Sequence, residues 1–285
     1  TAYEISLGLV GSEMCIRDRN ELIKLPEYAD TYKSYPNDLV KVKQKQDNIQ
    51  FAGLVESGDQ SLGTLVAKLK ELGLEDNTII FFMSDNGGMS VMNGTPRREV
   101  PKEILDTRTS TSNLPLRGAK GWLYEGGIRV PMIVKWPQKG KKGTVCDEPL
   151  ISVDFYPTIL EMIGAEDQIK DIDGKSFTRL VRGKKMERGP IYWHFPQYSN
   201  HGMQSPGGAI RDGDYKLLEY FENGTVQLFN LKDDIGEQND LSKIQVHKAK
   251  ELTAKLHQWR KDVDAQMMTP NPEYDPALDP WSGKK

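Results

Sequence analysis

The chain reads as an α/β protein, an open layered sheet with helices followed by a small antiparallel α+β subdomain. Three observations predict this. A stretch with apolar residues every 3.6 positions runs directly into a short continuous apolar run, the order of helix then buried strand. A second apolar run, residues 129–136 (RVPMIVKW), precedes another helical segment. Beyond residue 189, Asp212-Gly213 and Asn223-Gly224 are hairpin signals, each flanked by strand-like residues. At 285 residues the chain is long enough to bury a substantial core, as one large domain or a domain with a smaller partner.

Taken in order, residues 47–72 place Phe51, Leu54, Val55, Leu62, Leu65, Val66, Leu69 and Leu72 on one helical face, predicting a long amphipathic helix packed on a core. Gly58 weakens its middle, and Gly73 stands where a left-handed cap belongs. Residues 78–84 (TIIFFMS) have the look of a strand covered on both faces, as in a parallel sheet. Pro131 puts the strand at 129–136 near an edge or at its own start. Ser152 is expected to cap a helix through Ile163, with Asp154 in its first turn and Gly164 closing it. The hairpin signals then predict a three-stranded meander over 209–211, 214–222 and 225–230. A helix over 248–263 follows, with Ala249, Leu252, Leu256, Trp259 and Val263 on one face. Four prolines from Pro270 onward keep the tail at 269–285 extended.

Composition removes several function classes. Lysine and arginine (38) nearly balance aspartate and glutamate (41), so a net charge of −3 leaves no basic field to grip nucleic acid. The longest apolar runs are far too short to span a bilayer. Two cysteines form no disulfide framework, and no Cys/His cluster marks a zinc site. Residues 10–18 (VGSEMCIRD) are the translation of one frame of a common transposase sequencing adapter. Residues 1–19 are accordingly expected to be an assembly scar, which would leave Cys146 as the one biological cysteine and make the lack of a leader uninformative.

Chemistry gathers in two clusters. Ser84-Asp85-Asn86-Gly87-Gly88 follows the buried strand directly, and in open α/β sheets ligands bind beyond the carboxyl ends of strands. A carboxylate and an amide carbonyl are hard oxygen donors, suited to Ca²⁺ or Mg²⁺ rather than zinc. The same letters also make an ordinary turn, the better reading when they stand alone. The second cluster, residues 116–131 (LRGAKGWLYEGGIRVP), sets Arg117 and Lys120 among glycines that let backbone approach an oxyanion. Its plain alternative is a solvated surface loop. From residue 97 to 120, Arg97, Arg98, Lys102, Arg108, Arg117 and Lys120 outnumber Glu99, Glu103 and Asp106. A loop of net charge +3 over a hard-metal site favours an anionic substrate.

With both clusters in view, the sequence resembles the second half of a type I sulfatase of the arylsulfatase kind. The resemblance rests on residues 78–88 (TIIFFMSDNGG) followed by 116–131, and extends to 154–160 (DFYPTIL), 173–176 (DGKS) and 192–259. It is nearest to bacterial members acting on sulfated carbohydrates. It implies the alkaline-phosphatase-like α/β fold with a small C-terminal antiparallel subdomain and helix, divided here as 20–188 and 189–268. It also implies that Asp85 and Asn86 hold one Ca²⁺, and that Lys120 binds sulfate oxygens and stabilises charge on the leaving ester oxygen. A periplasmic or secreted location is expected, with a sulfated carbohydrate or other sulfate ester as partner, and neither nucleic acid nor membrane.

The family's nucleophile is a formylglycine made from Cys or Ser in a Cys-x-Pro-x-Arg setting. Cys15-Ile16-Arg17 lacks the proline, and Cys146 is followed by Asp147-Glu148, so neither matches. The chain is therefore expected to be a fragment holding about half an active site, inactive alone. His194 is a candidate for the substrate pocket beside Arg97 and Arg98, against a simpler reading as a packed histidine. Arg117 and Arg129 are read as partners of Glu125 or an aspartate rather than as substrate contacts. The alternatives are a phosphatase, phosphodiesterase or phosphonate hydrolase of the same superfamily, and a non-catalytic carbohydrate-binding relic. Related phosphate enzymes generally carry His where Asn86 stands, so Asn86 favours calcium and a sulfate ester.

Overall fold

A computed structural model describes residues 46, 48–90, 111–197, 204–269 and 272–273. The suspected scar, Arg97, Arg98 and most of the proline-rich tail lie outside the described residues.

Helix α1 spans Ile49–Glu71 and begins where the Asn48 side chain accepts the Phe51 N–H at 3.0 Å. It ends in a turn with Gly73 at φ +66°. Its apolar face departs from expectation, since Leu54, Val55, Leu65 and Leu72 are all exposed. Periodicity identified the helix, but the stripe is only half covered, with Phe51, Leu62, Val66 and Leu69 partly buried.

Strand β1 (Ile80–Met83) pairs with β2 (Met132–Lys135) in antiparallel register, from Ile80 opposite Lys135 to Met83 opposite Met132. The parallel pairing expected for these runs is thus not what joins them. A short continuous apolar run marks burial but carries no strand direction. One side of the ribbon is held by Phe81, which packs edge-on against Phe155 and Phe177 at 5.5 and 6.4 Å.

Phe155 opens helix α3 (Phe155–Ile163), after the four-residue helix α2 (Glu125–Ile128). Gly164 closes α3 at φ +76°. A 3₁₀ turn at Ser152–Asp154 precedes it, and the capping group is the Asp154 carboxylate rather than Ser152. Asp154 accepts the Ile151 N–H at 3.1 Å and the Lys175 N–H at 2.8 Å, and pairs with the buried Arg188 at 2.8 Å. The motifs at 154–160 and 173–176 are therefore stitched to each other. Helix α4 (Thr178–Val181) follows.

The C-terminal subdomain has four strands where the hairpin signals predicted three. β3 (Ile191–Phe195), β4 (Gly207–Asp212), β5 (Tyr215–Tyr220) and β6 (Val226–Asn230) form one antiparallel sheet in chain order. Alternation divides it cleanly. Ile210, Leu217 and Leu228 face helix α5 (Val246–Asp262) and its Ala249, Leu252 and Leu256. Ala209, Leu218 and Phe229 face the other way and cover Trp122, Leu123 and Tyr124. The sheet thus uses its second face to seat the glycine-rich cluster. Among the described residues, no helix is long and apolar enough to cross a membrane.

Candidate active site

The two clusters, some thirty residues apart in sequence, meet through their backbones. Strand β1 delivers the chain to Asp85, and Ser84 Oγ donates to the Asn86 carbonyl at 2.9 Å, tightening the turn. The Gly87 N–H then donates to the Gly127 carbonyl at 2.9 Å, and the Lys120 N–H donates to the Gly88 carbonyl at 3.1 Å. Asn113 completes the junction. Its amide nitrogen donates to the carbonyls of Gly88 (2.8 Å) and Gly118 (3.1 Å), and its Oδ1 accepts the Gly88 N–H at 3.0 Å.

Contact this close requires glycine. A β-carbon on Gly87 would fall 1.8 Å from the Gly126 carbonyl oxygen, well inside van der Waals contact. On Gly126 it would meet the Arg117 and Gly118 carbonyl oxygens at 2.5 Å each. The glycines of the two motifs exist so that the two turns can press against each other. They leave Asp85 exposed and Asn86 and Lys120 half-buried.

The donor chemistry of Asp85 and Asn86 fits part of a hard-cation site. Asn86 spends its amide nitrogen on the Gly87 carbonyl at 3.2 Å, which leaves Oδ1 as the donor for a cation. Asp85 adds a carboxylate. Calcium takes about six to eight oxygens, and among the described residues no cluster of three Asp, Glu, His or Cys side chains could hold a metal. Asp85 and Asn86 offer two side-chain oxygen donors, fewer than such a shell takes. Among the described residues, Cys146 is a free and exposed cysteine.

His194 goes elsewhere. On β3, Trp193 and Phe195 pack on the Trp122 cluster while Tyr192 packs with α5, so alternation turns His194 to the α5 side. Its Nε2 is 2.7 Å from the Gln266 carbonyl oxygen. Arg129 pairs with Glu125 at 3.4 Å, as expected of it. Arg117 stacks on the Tyr124 ring at 3.9 Å and donates to the Glu237 carbonyl at 3.1 Å.

Sequence reasoning missed a buried ionic network around Lys216. Lys216 lies between Glu125 and Glu237, its Nζ 2.9 and 2.8 Å from their carboxylates, and all three are shielded from solvent. Burial pushes the Glu125 carboxyl up, but the charge and hydrogen bond of Lys216, with Arg211 and Arg129, hold it below the usual value. For Glu237 burial wins, helped by the Glu125 charge and opposed by Lys216, and its carboxyl is pushed up to about 7. Lys216 sits in an alternating strand (YKLL) and Glu237 in a polar turn, so no local pattern announced them. The signal available was Arg211 and Lys216 flanking a two-residue turn, which sets two cations opposite each other.

Comparison with known proteins identifies the family and the fold. The family described as N-sulphoglucosamine sulphohydrolase, C-terminal, matches residues 119–266, just over half the chain, and the sulfatase family matches residues 25–165. A sulfatase of Formosa agariphila is 30% identical over 233 residues, spanning 73% of this chain and 39% of that protein. The solved structure of Ps i-CgsB in complex with k-i-k-neocarrahexaose superposes with a TM-score of 0.60 at 29% identity, over 80% of this chain and 44% of that one. A phosphonate monoester hydrolase from Silicibacter pomeroyi shares the fold at a TM-score of 0.53 and 22% identity, over 75% of this chain and 40% of its own. The chain spans about two fifths of the length of these relatives. Both motif clusters lie within the matched segments, the α/β architecture is that of the alkaline-phosphatase-like sulfatases, and the chain belongs to the sulfatase family.

Proposed function

We propose that this chain supplies the metal- and sulfate-binding part of the active site of a sulfuric ester hydrolase that acts on a sulfated carbohydrate. The observation that carries the reading is the hydrogen bond from the Lys120 N–H to the Gly88 carbonyl, which sets the Lys120 loop against the turn that follows Asp85 and Asn86. Asp85 and Asn86 hold Ca²⁺, with further oxygens from outside the described residues. When bound, the ion supplies positive charge beside the ester oxygens. The Lys120 ammonium holds the sulfate oxygens and stabilises charge on the departing ester oxygen. Arg97 and Arg98 belong to the same positively charged segment and extend the attraction for an anionic substrate. The carbohydrate assignment draws on the relative solved with k-i-k-neocarrahexaose, and a periplasmic or secreted location for the whole protein is part of the proposal, drawn from the family resemblance alone.

The chain as given acts as a partial site. Neither cysteine has the setting of a formylglycine precursor, so no step is assigned to a nucleophile here. The exposed apolar residues on α1, β1 and β2 support a fold completed by further polypeptide.

In the full-length protein, Asp85→Ala should lose bound calcium and sulfate-ester hydrolysis together. Wild-type calcium stoichiometry and turnover in that variant would refute the assignment. Lys120→Ala should lower kcat by roughly 10²-fold or more, as expected for loss of one charge-stabilising group. A change confined to KM would restrict Lys120 to ground-state binding.

A further inference from the structure

Cross-strand register sets Arg211 of β4 directly opposite Lys216 of β5. Both lie on the sheet face that covers the 122–124 segment, by alternation with Ala209 and Leu218. Like charges in that relation repel, and Lys216 has also lost its water. The compensating charge comes from outside the sheet. Glu125 reaches across with Oε1 at 2.9 Å from Lys216 Nζ and Oε2 at 3.9 Å from Arg211 Nη1, with Arg129 flanking it at 3.4 Å.

Glu237, from the turn after β6, closes the arrangement from the other side. Its Oε1 is 2.8 Å from the same ammonium, and its Oε2 accepts the Glu125 backbone N–H at 2.7 Å. Its carbonyl accepts from Arg117 at 3.1 Å. One residue of the subdomain thus holds both ends of the loop that carries Lys120. That loop is closed on itself by the Gly126 N–H donating to the Arg117 carbonyl at 2.6 Å, and it passes the constraint on through the Gly127 carbonyl to Gly87.

We infer that Glu237 and Lys216 are positioning residues for the candidate site: through Glu125 they fix the 117–127 loop, and with it Lys120 and the turn bearing Asp85 and Asn86. The inference rests on the reading of Lys120 given above. The C-terminal subdomain then serves the chemistry by holding a charged group in place, beyond closing the core. Positional errors near 1 Å are enough to cost about 10²-fold in rate.

The test uses Glu237→Gln, which keeps the side-chain shape, with Lys216→Met as a second variant, both at pH 8. In Glu237→Gln, amide hydrogen exchange on this chain should accelerate at least about tenfold across residues 117–127 while the α5 amides stay as in the parent. In Lys216→Met, which also lowers global stability, the acceleration across 117–127 should exceed that across α5 at least about tenfold. Acceleration spread evenly over α5 and the loop would mean the network only holds the subdomain together, and overturns the inference. In the full-length protein, Glu237→Gln should lower kcat for an aryl sulfate by about 10- to 100-fold. In a Lys120→Ala background the same change should cost little, because both act through one group. Fully additive losses, or a wild-type kcat in Glu237→Gln, overturn the positioning role. If Lys120→Ala itself leaves kcat intact, the reading of Lys120 falls, and the exchange measurement still decides whether the network holds the loop.

Discussion

In the C-terminal subdomain, Ile210, Leu217, Leu228, Leu252 and Leu256 are sealed between the four-stranded sheet and α5. In the β1–β2 ribbon, by contrast, Phe82, Met83 and Ile133 stand 40%, 42% and 65% exposed. Both regions are strand-and-helix structures of similar composition, and the difference lies in how many faces are covered. A sheet of four strands with apolar residues on both faces finds two partners here, the helix on one side and the 122–124 segment on the other. Among the described residues the two-stranded ribbon is packed on its Phe81 side, by Phe155 and Phe177. A ribbon of two strands is marginally stable at best in water by itself. The candidate site lies at the boundary, its Lys120 loop anchored on the complete region and its Asp85 turn extending from the incomplete one.

This contrast predicts an order of mutational effects. The largest should follow Lys216→Met, which leaves two buried carboxylates without their cation, at about 3–5 kcal/mol of unfolding free energy. A urea midpoint equal to that of the parent chain would show that the network contributes nothing. Next comes Leu252→Ala in the sealed core, expected to cost about 2–5 kcal/mol.

The pH dependence should be smaller and of definite sign. Because the Glu237 carboxyl is raised to about 7 in the folded chain from an ordinary value of 4.5, the folded state binds more protons between those limits. Its contribution to stability therefore falls as pH rises from about 4.5 to about 7. Glu125, held below its ordinary value, acts oppositely, contributing above about 4.5 and losing that contribution in stronger acid. Urea midpoints measured from pH 4.5 to 8 should decline, and Glu237→Gln should flatten the decline. An unchanged slope in that variant would assign the decline to other groups. The smallest effect belongs to the open ribbon, where Ile133→Ser should shift stability by no more than about 0.5 kcal/mol while reducing self-association. A core-sized loss there would mean the ribbon is covered in solution.

What was legible in the sequence follows the same divide. Helix α1, the strands around residues 80 and 133, both glycine turns and α5 were all readable, because periodicity and turn chemistry are local. Asp85, Asn86 and Lys120 stand out in sequence through the family resemblance of their two motifs, and backbone bonds join the loops that carry them. The antiparallel pairing of β1 with β2 was misread, because a four-residue apolar run records burial and not direction. β3 was missed from the meander since no hairpin signal in the sequence joins it to β4. The Glu125–Lys216–Glu237 network was invisible for a related reason: its members are 91 and 21 residues apart, and buried charge looks like surface charge in one dimension.

The most direct test of the account is a crystal structure of the full-length protein with calcium and sulfate, the ion located by its anomalous scattering. The account predicts calcium bound by Asp85 and Asn86, with the Lys120 ammonium in hydrogen-bond contact with the sulfate beside it. Calcium held by other residues, or Lys120 turned away from the sulfate, would contradict it.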